Sequence, residues 1–224
     1  MLEYLLDPIP GSSAKGKVVE GIICLHVDDL FCVGSDKFLR EIVQNLKKDF
    51  TLGSETYNEV TFCAQRVRWQ GTCLVVDQDR AVEELSEIKL DKGMKDDKKC
   101  DPVMHTEYRS VLGQLNWLQS RTQFHVAYRF SRSASAAASP SIADVRELNK
   151  TVRQVRAQIV RLTFWPLKGP LRILGYPDAA FKNNADKSSQ RGQCIFIAED
   201  RKKSAPSNSP AIGSLVDYES TKIK

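Results

Sequence analysis

Two short apolar runs, residues 21–27 (Gly-Ile-Ile-Cys-Leu-His-Val) and 30–34 (Leu-Phe-Cys-Val-Gly), are separated only by Asp28 and Asp29. Strand-like runs joined across a two-residue polar step read as a β-hairpin. This constrains the fold more than any other feature, because it ties two strands into one antiparallel pair. It also leaves two carboxylates side by side on a rigid tip. Asp is a common turn former, so the turn by itself is a sufficient use for the pair. Like charges this close are destabilising alone and become favourable when a hard divalent cation binds.

The pattern then alternates between helix and strand. Ser35 and Asp36 form an N-cap signal ahead of Phe38, Leu39, Ile42, Val43 and Leu46, which recur at helical spacing. Residues 60–69 alternate polar and apolar positions, turn at Gln70-Gly71, and continue through Asp77 as a second hairpin. Ala81, Val82, Leu85 and Ile88 predict a short amphipathic helix, and 91–101, dominated by Lys and Asp, a solvated linker. Tyr108, Val111, Leu112, Leu115 and Leu118 fall on one helical face. After Ser139-Pro140-Ser141, the apolar positions Ile142, Val145, Leu148, Val152, Val155, Ile159 and Leu162 predict one long helix. Trp165-Pro166 and Gly169-Pro170 end it. Strands return at 171–176, ending in Pro177-Asp178, at 193–198, and weakly at 211–216. There is no internal repeat.

With 224 residues, 42% hydrophobic and 27% charged, the chain has the composition of a globular protein with a genuine core. No apolar run approaches the roughly 20 residues that span a bilayer, so no membrane partner is expected. The first eight residues are too short and acidic for a secretory signal. The six cysteines form no Cys-x-x-Cys pair, and four lie in apolar runs. They predict a reducing, intracellular compartment and no structural zinc. Net charge is +5, and Arg146, Lys150, Arg153, Arg156, Arg161, Lys168 and Arg172 share residues 146–172 with Glu147 as the only acid. Such a stretch either follows a phosphate backbone or is the solvated face of a helix.

The order of these elements resembles the C-terminal part of the Pol polyprotein of copia-type LTR retrotransposons. His26-Val27-Asp28-Asp29, followed by Leu30-Phe31 and Gly34, is similar to the Tyr-Val-Asp-Asp hairpin of the reverse transcriptase palm. Residues 62–76, with Asp77-Gln78-Asp79-Arg80, resemble the primer-grip hairpin and thumb entry. Tyr108-Arg109, Gly113 and Leu115 match the family's Tyr-Arg-x-x-x-Gly-x-Leu helix. Ser120-Arg121 corresponds more loosely to its Thr-Arg-Pro-Asp-Ile segment, with Arg121-Thr122-Gln123-Phe124 as the departure. Gly175-Tyr176-Pro177-Asp178-Ala179-Ala180-Phe181, with Ser189 and Gly192, is similar to the Gly-Tyr-Ser-Asp-Ala-Asp-Trp opening of ribonuclease H. Here Ala180 and Phe181 stand where that family has Asp and Trp.

The resemblance implies an α+β fold in three parts: 1–90 as late palm and thumb, 91–170 as linker and helical connection, and 171–224 as an incomplete ribonuclease H-like α/β domain. It implies RNA-directed DNA polymerase and ribonuclease H chemistry, in which two Mg²⁺ (or Mn²⁺) ions support in-line phosphoryl transfer. Asp28 and Asp29 would hold metal in the polymerase and Asp178 in the ribonuclease H. Lys150, Arg153 and Arg156 would touch phosphates. His26, where the family has an aromatic ring, would fill a strand face. Partners would be RNA template, RNA–DNA hybrid and primer, deoxynucleotides, and the rest of the polyprotein. A third palm carboxylate would lie upstream of Met1 and further ribonuclease H acids downstream of Lys224, so the chain is expected to be an inactive fragment. A non-catalytic nucleic-acid-binding remnant and an inert one remain as alternatives.

Overall fold

The structure is a computed structural model that describes residues 2–6, 18–167, 170–182, 184, 186–199 and 213–223. It is mixed α+β and divides into two compact units, Met1–Cys63 and Ala64–Lys224. That boundary falls inside the segment expected from sequence to be the first of three parts.

In the first unit β1 (Leu2–Leu6), β2 (Val18–His26) and β3 (Asp29–Gly34) form an antiparallel sheet in the order β1-β2-β3, followed by α1 (Asp36–Asp49) and β4 (Glu59–Phe62). The Ser35 hydroxyl caps α1 by accepting from the Phe38 N–H at 3.2 Å, as the N-cap signal predicts. Phe38 is the buried residue of α1, and its ring lies over Gly21 and Gly34, which pair across β2 and β3. A Cβ at Gly21 would stand 2.2 Å from the Phe38 ring and one at Gly34 2.5 Å from it. The two glycines are therefore the floor of an aromatic seat, and that seat fixes the hairpin's register.

In the second unit β5 (Gln65–Gln70), β6 (Cys73–Asp77) and β7 (Leu162–Phe164) form an antiparallel sheet. The expected single strand over 60–69 is interrupted at Cys63-Ala64, both left-handed at φ 49° and 54°, which turns the chain between β4 and β5. Helices α2 (Asp79–Glu84), α3 (Pro102–Gln119), α4 (Ala127–Ser135) and α5 (Ile142–Ala157) follow, with one 3₁₀ turn at Phe124–Val126. Their core is the predicted stripe, although α2 ends at Glu84 and leaves Leu85 and Ile88 on non-helical chain: Val82, Leu85 and Ile88 meet Tyr108, Leu112, Leu115 and Leu118 of α3 and Val145, Leu148, Val152 and Val155 of α5. The 91–101 segment exposes most of its side chains but is not a free linker. Its Asp96 and Lys98 carbonyls accept from the Ala143 and Ile142 N–H groups, supplying partners at the start of α5 that a helix lacks within itself.

Helix α5 starts after Ser141, as the Ser139-Pro140-Ser141 signal predicts, on a Ser141–Asp144 capping box, and stops at Ala157, earlier than its apolar period predicts. Ile159 is at the surface and Leu162 belongs to β7, paired with Val76. The reason is a side chain that imitates a strand. Gln123 donates to the Val160 carbonyl at 2.9 Å and accepts from the Val160 N–H at 3.0 Å, so the backbone is held extended there.

The last sheet has the order β10-β9-β8, from β8 (Leu171–Ala180), β9 (Ser189–Glu199) and β10 (Gly213–Ile223), all antiparallel. Each strand is longer than its sequence pattern. Pro177 and Asp178 lie inside β8 rather than ending it. Proline is tolerated because β8 is an edge strand, where a missing N–H costs no ladder bond. Lys168, Gly169 and the first two residues of the strand expected at 211–216 lie outside the described residues.

Candidate metal centre

The β2–β3 register runs from Gly21 opposite Gly34 to His26 opposite Asp29. The loop is consequently Val27 and Asp28, one residue earlier than the Asp28-Asp29 step suggests, and Asp29 is the first residue of β3. The Phe38 seat decides this, since slipping the pairing by one residue would put a side chain under that ring and reverse the faces of every other residue. Val27 takes φ 56° and is 83% exposed. A left-handed φ at the first loop residue alone is the type II′ pattern, where glycine is the favoured occupant. A β-branched residue there is a genuine outlier, and such strain clusters at functional sites. Sequence reasoning missed Val27. No local signal marks it, because the register that places Val27 in the loop is set by Phe38 on Gly21 and Gly34.

Asp28 and Asp29 are both exposed, adjacent, and carried on this strained tip. Asp29 pairs with His26 and so shares its face of the hairpin, together with Phe31 opposite Cys24. On that face Phe62 stacks on Phe31 with ring centres 5.5 Å apart and meets His26 edge-on at 6.1 Å. His26 thus serves as an aromatic plate beside the carboxylates.

Among the described residues no group of three or more His, Cys, Asp or Glu side chains lies close enough to hold one cation. Two hard oxygen ligands are still a fit for Mg²⁺, which is commonly bound through one or two carboxylates completed by water and substrate phosphates.

Asp178 belongs to the second unit. It pairs with Gly192, and its carboxylate accepts from the Ala179 N–H at 2.9 Å. It opens onto a pocket of about 260 Å³ bordered by Tyr128, Gln190, Arg191 and Ser220. Gln190 braces that pocket by donating to Ser220 Oγ at 2.9 Å and Ser131 Oγ at 3.3 Å.

The basic helix differs from its reading in sequence. Glu147 is the only acid within residues 146–172, but the fold brings others. Lys150 pairs with Glu147 at 2.5 Å, Arg153 with Glu87, Arg146 with Asp96 at 2.9 Å, and Arg161 with Asp79 at 3.0 Å. Arg156 has no carboxylate partner among the described residues. Two of the three expected phosphate ligands therefore already hold counter-charges, on exposed pairs that bind weakly. Arg121 stacks over Trp117 at 4.8 Å, and Thr122 and Gln123 are fully buried in a network with Gln78. The departure from the family's Arg-Pro-Asp-Ile segment thus has a packing use.

Among the described residues no helix is long and apolar enough to cross a membrane. No family model, no curated protein and no solved structure matches the chain.

Proposed function

We propose that this chain belongs to a retroelement RNA-directed DNA polymerase with a ribonuclease H-like segment, and that Asp28 and Asp29 are its polymerase metal ligands. The observation that carries this reading is Val27: a strained β-branched residue at an exposed tip that presents two adjacent carboxylates. A plain turn gains nothing from that strain, whereas a ligand site gains fixed carboxylate directions. The α+β architecture and the helix carrying Tyr108 and Leu115 are compatible with the same reading.

Mg²⁺ would be held by Asp28 and Asp29 and would supply charge stabilisation at the phosphate undergoing displacement. His26 and Phe31 would present a planar surface beside it. Asp178, in its own pocket, would serve the ribonuclease H segment, and RNA–DNA hybrid and deoxynucleotides would be ligands of the longer enzyme. One observation favours the rival reading of a non-catalytic nucleic-acid-binding remnant, namely that no third carboxylate joins Asp28 and Asp29 among the described residues.

Mn²⁺ titration followed by water-proton relaxation tests the metal assignment. The parent chain should bind weakly, and Asp28→Asn should bind at least about tenfold more weakly, about 1.4 kcal/mol. Asp178→Asn should leave that site unchanged. Equal titrations for the parent and Asp28→Asn would remove the assignment.

A further inference from the structure

The expected nucleic-acid contacts lie on α5, where among the described residues Arg156 alone of the three lacks a carboxylate partner, and α4 carries two more arginines of that kind. Arg129 and Arg132 are exposed and one helical turn apart, and among the described residues neither has a carboxylate partner. They border a cleft of about 200 Å³ between α4 and α5, floored by Tyr108 and Ser133. Two carboxylates also line it, Glu147 offset by Lys150 and Asp144 bonded only to the neutral Ser141. Asp144 accepts from the Ser141 N–H at 2.8 Å and its hydroxyl at 2.7 Å, and Glu147 accepts from Lys150. Tyr128, 39% exposed, borders both this cleft and the 260 Å³ pocket that contains Asp178. The two depressions therefore share one tyrosine wall, with the two guanidinium groups at one end alongside Asp144 and Glu147.

We infer that α4 carries a binding groove for a single strand of nucleic acid, in which Arg129 and Arg132 hold neighbouring phosphates and Tyr128 stacks on a base. Guanidinium groups match phosphate oxygens in a planar fork. Two of them roughly 5 Å apart along the helix axis can follow a backbone. A free phosphate would fill only one depression, whereas a strand fills both. An exposed tyrosine ring needs an unpaired base to stack on, and this selects a single strand over a duplex. The inference rests on the retroelement reading for its ligand class, while its residues belong to the second unit and do not depend on Asp28 or Asp29.

Fluorescence anisotropy with a labelled single strand of about 16 nucleotides tests it, using the full chain in chelator so that metal plays no part. Binding should weaken steeply as salt rises from about 50 to 200 mM. Arg129→Gln with Arg132→Gln should flatten the slope of log affinity against log salt by about 1.4, equivalent to about sevenfold less loss over that range. Tyr128→Leu should cost at least about fivefold in affinity at unchanged slope, and Tyr128→Phe should bind as the parent does. Strand binding is read in chelator and the Mn²⁺ titration is read without strand, so failure of the metal assignment and failure of this groove are read separately. Thermal melts of each variant within a few degrees of the parent confirm that folding is intact. The groove is refuted if the arginine pair leaves the slope unaltered, or if Lys150→Gln with Arg153→Gln and Arg156→Gln flattens it more. It is also refuted if inorganic phosphate displaces the strand at equal phosphate concentration. An RNA–DNA hybrid bound as tightly as the strand, with Tyr128→Leu silent, would refute the stacking role.

Discussion

Replacing Val27 by glycine should stabilise the hairpin and weaken metal binding together. An L-residue in the left-handed region costs about 1–2 kcal/mol relative to its ordinary wells, and Val27 sits there at φ 56°. Glycine removes that cost but brings a more flexible unfolded chain, worth about 0.5–1 kcal/mol against it. Little burial is lost, because the side chain is 83% exposed. The net expectation is a gain of about 0.5–1 kcal/mol, a two- to fivefold rise in protection of the β2–β3 amides from hydrogen exchange. Val27→Ala keeps the Cβ that creates the strain and should gain much less. Mn²⁺ should bind more weakly to Val27→Gly, since a relaxed turn no longer fixes the direction of Asp28. Faster exchange in Val27→Gly than in the parent would show that Val27 is not strained, and unchanged Mn²⁺ binding would show that the strain has no use at the site.

Three other perturbations address the framework of the two units. Gly21→Ala should cost about 1–3 kcal/mol by driving a methyl into the Phe38 ring, and chemical denaturation should show that most of this cost vanishes in a Phe38→Ala background. Gln123→Ala should cost about 2–4 kcal/mol, because the Val160 N–H and carbonyl both lose their partner; a loss below about 1 kcal/mol in urea melts would mean that water replaces the amide. Burial and the nearby Asp144 carboxylate push Tyr108 up to about 12 from 10.0, although the Ser133 side-chain hydroxyl opposes this. A phenol raised in the folded state contributes stability that is full below pH 10 and lost as pH rises towards 12, about 2–3 kcal/mol in all. Tyr108→Phe should cost about 1 kcal/mol at neutral pH and flatten that alkaline decline, leaving the part due to Tyr218, which burial also raises; an unaltered decline would refute the assignment.

The helices were legible wherever one face alone decided them. Tyr108, Leu115, Val145, Leu148 and Val152 are all buried as their spacing predicts, since an amphipathic stripe and a capping residue are local signals. What was not legible was the end of α5. Its apolar period runs on through Ile159 and Leu162, and only Gln123, distant in sequence, converts that segment into an extended one. Strand lengths failed for a similar reason. Pro177 reads as a terminator until β8 is known to be an edge, and edge status is a property of the assembled sheet.

The candidate site divides along the same line. That Asp28 and Asp29 share a hairpin tip follows from two apolar runs and needs no tertiary knowledge. Which of them occupies the loop does not follow, because the register is set at the other end of the hairpin by Phe38 on Gly21 and Gly34. Charge is the least legible quantity of all. Residues 146–172 look uncompensated when read along the chain, yet Asp79, Glu87 and Asp96 arrive from earlier segments to pair with Arg161, Arg153 and Arg146. Arg129 and Arg132 attract no notice in sequence, and among the described residues neither has a carboxylate partner once folded. If a phosphate-binding face is defined by the cations that folding leaves without partners, that criterion keeps Arg156 on α5 and adds Arg129 and Arg132 on α4.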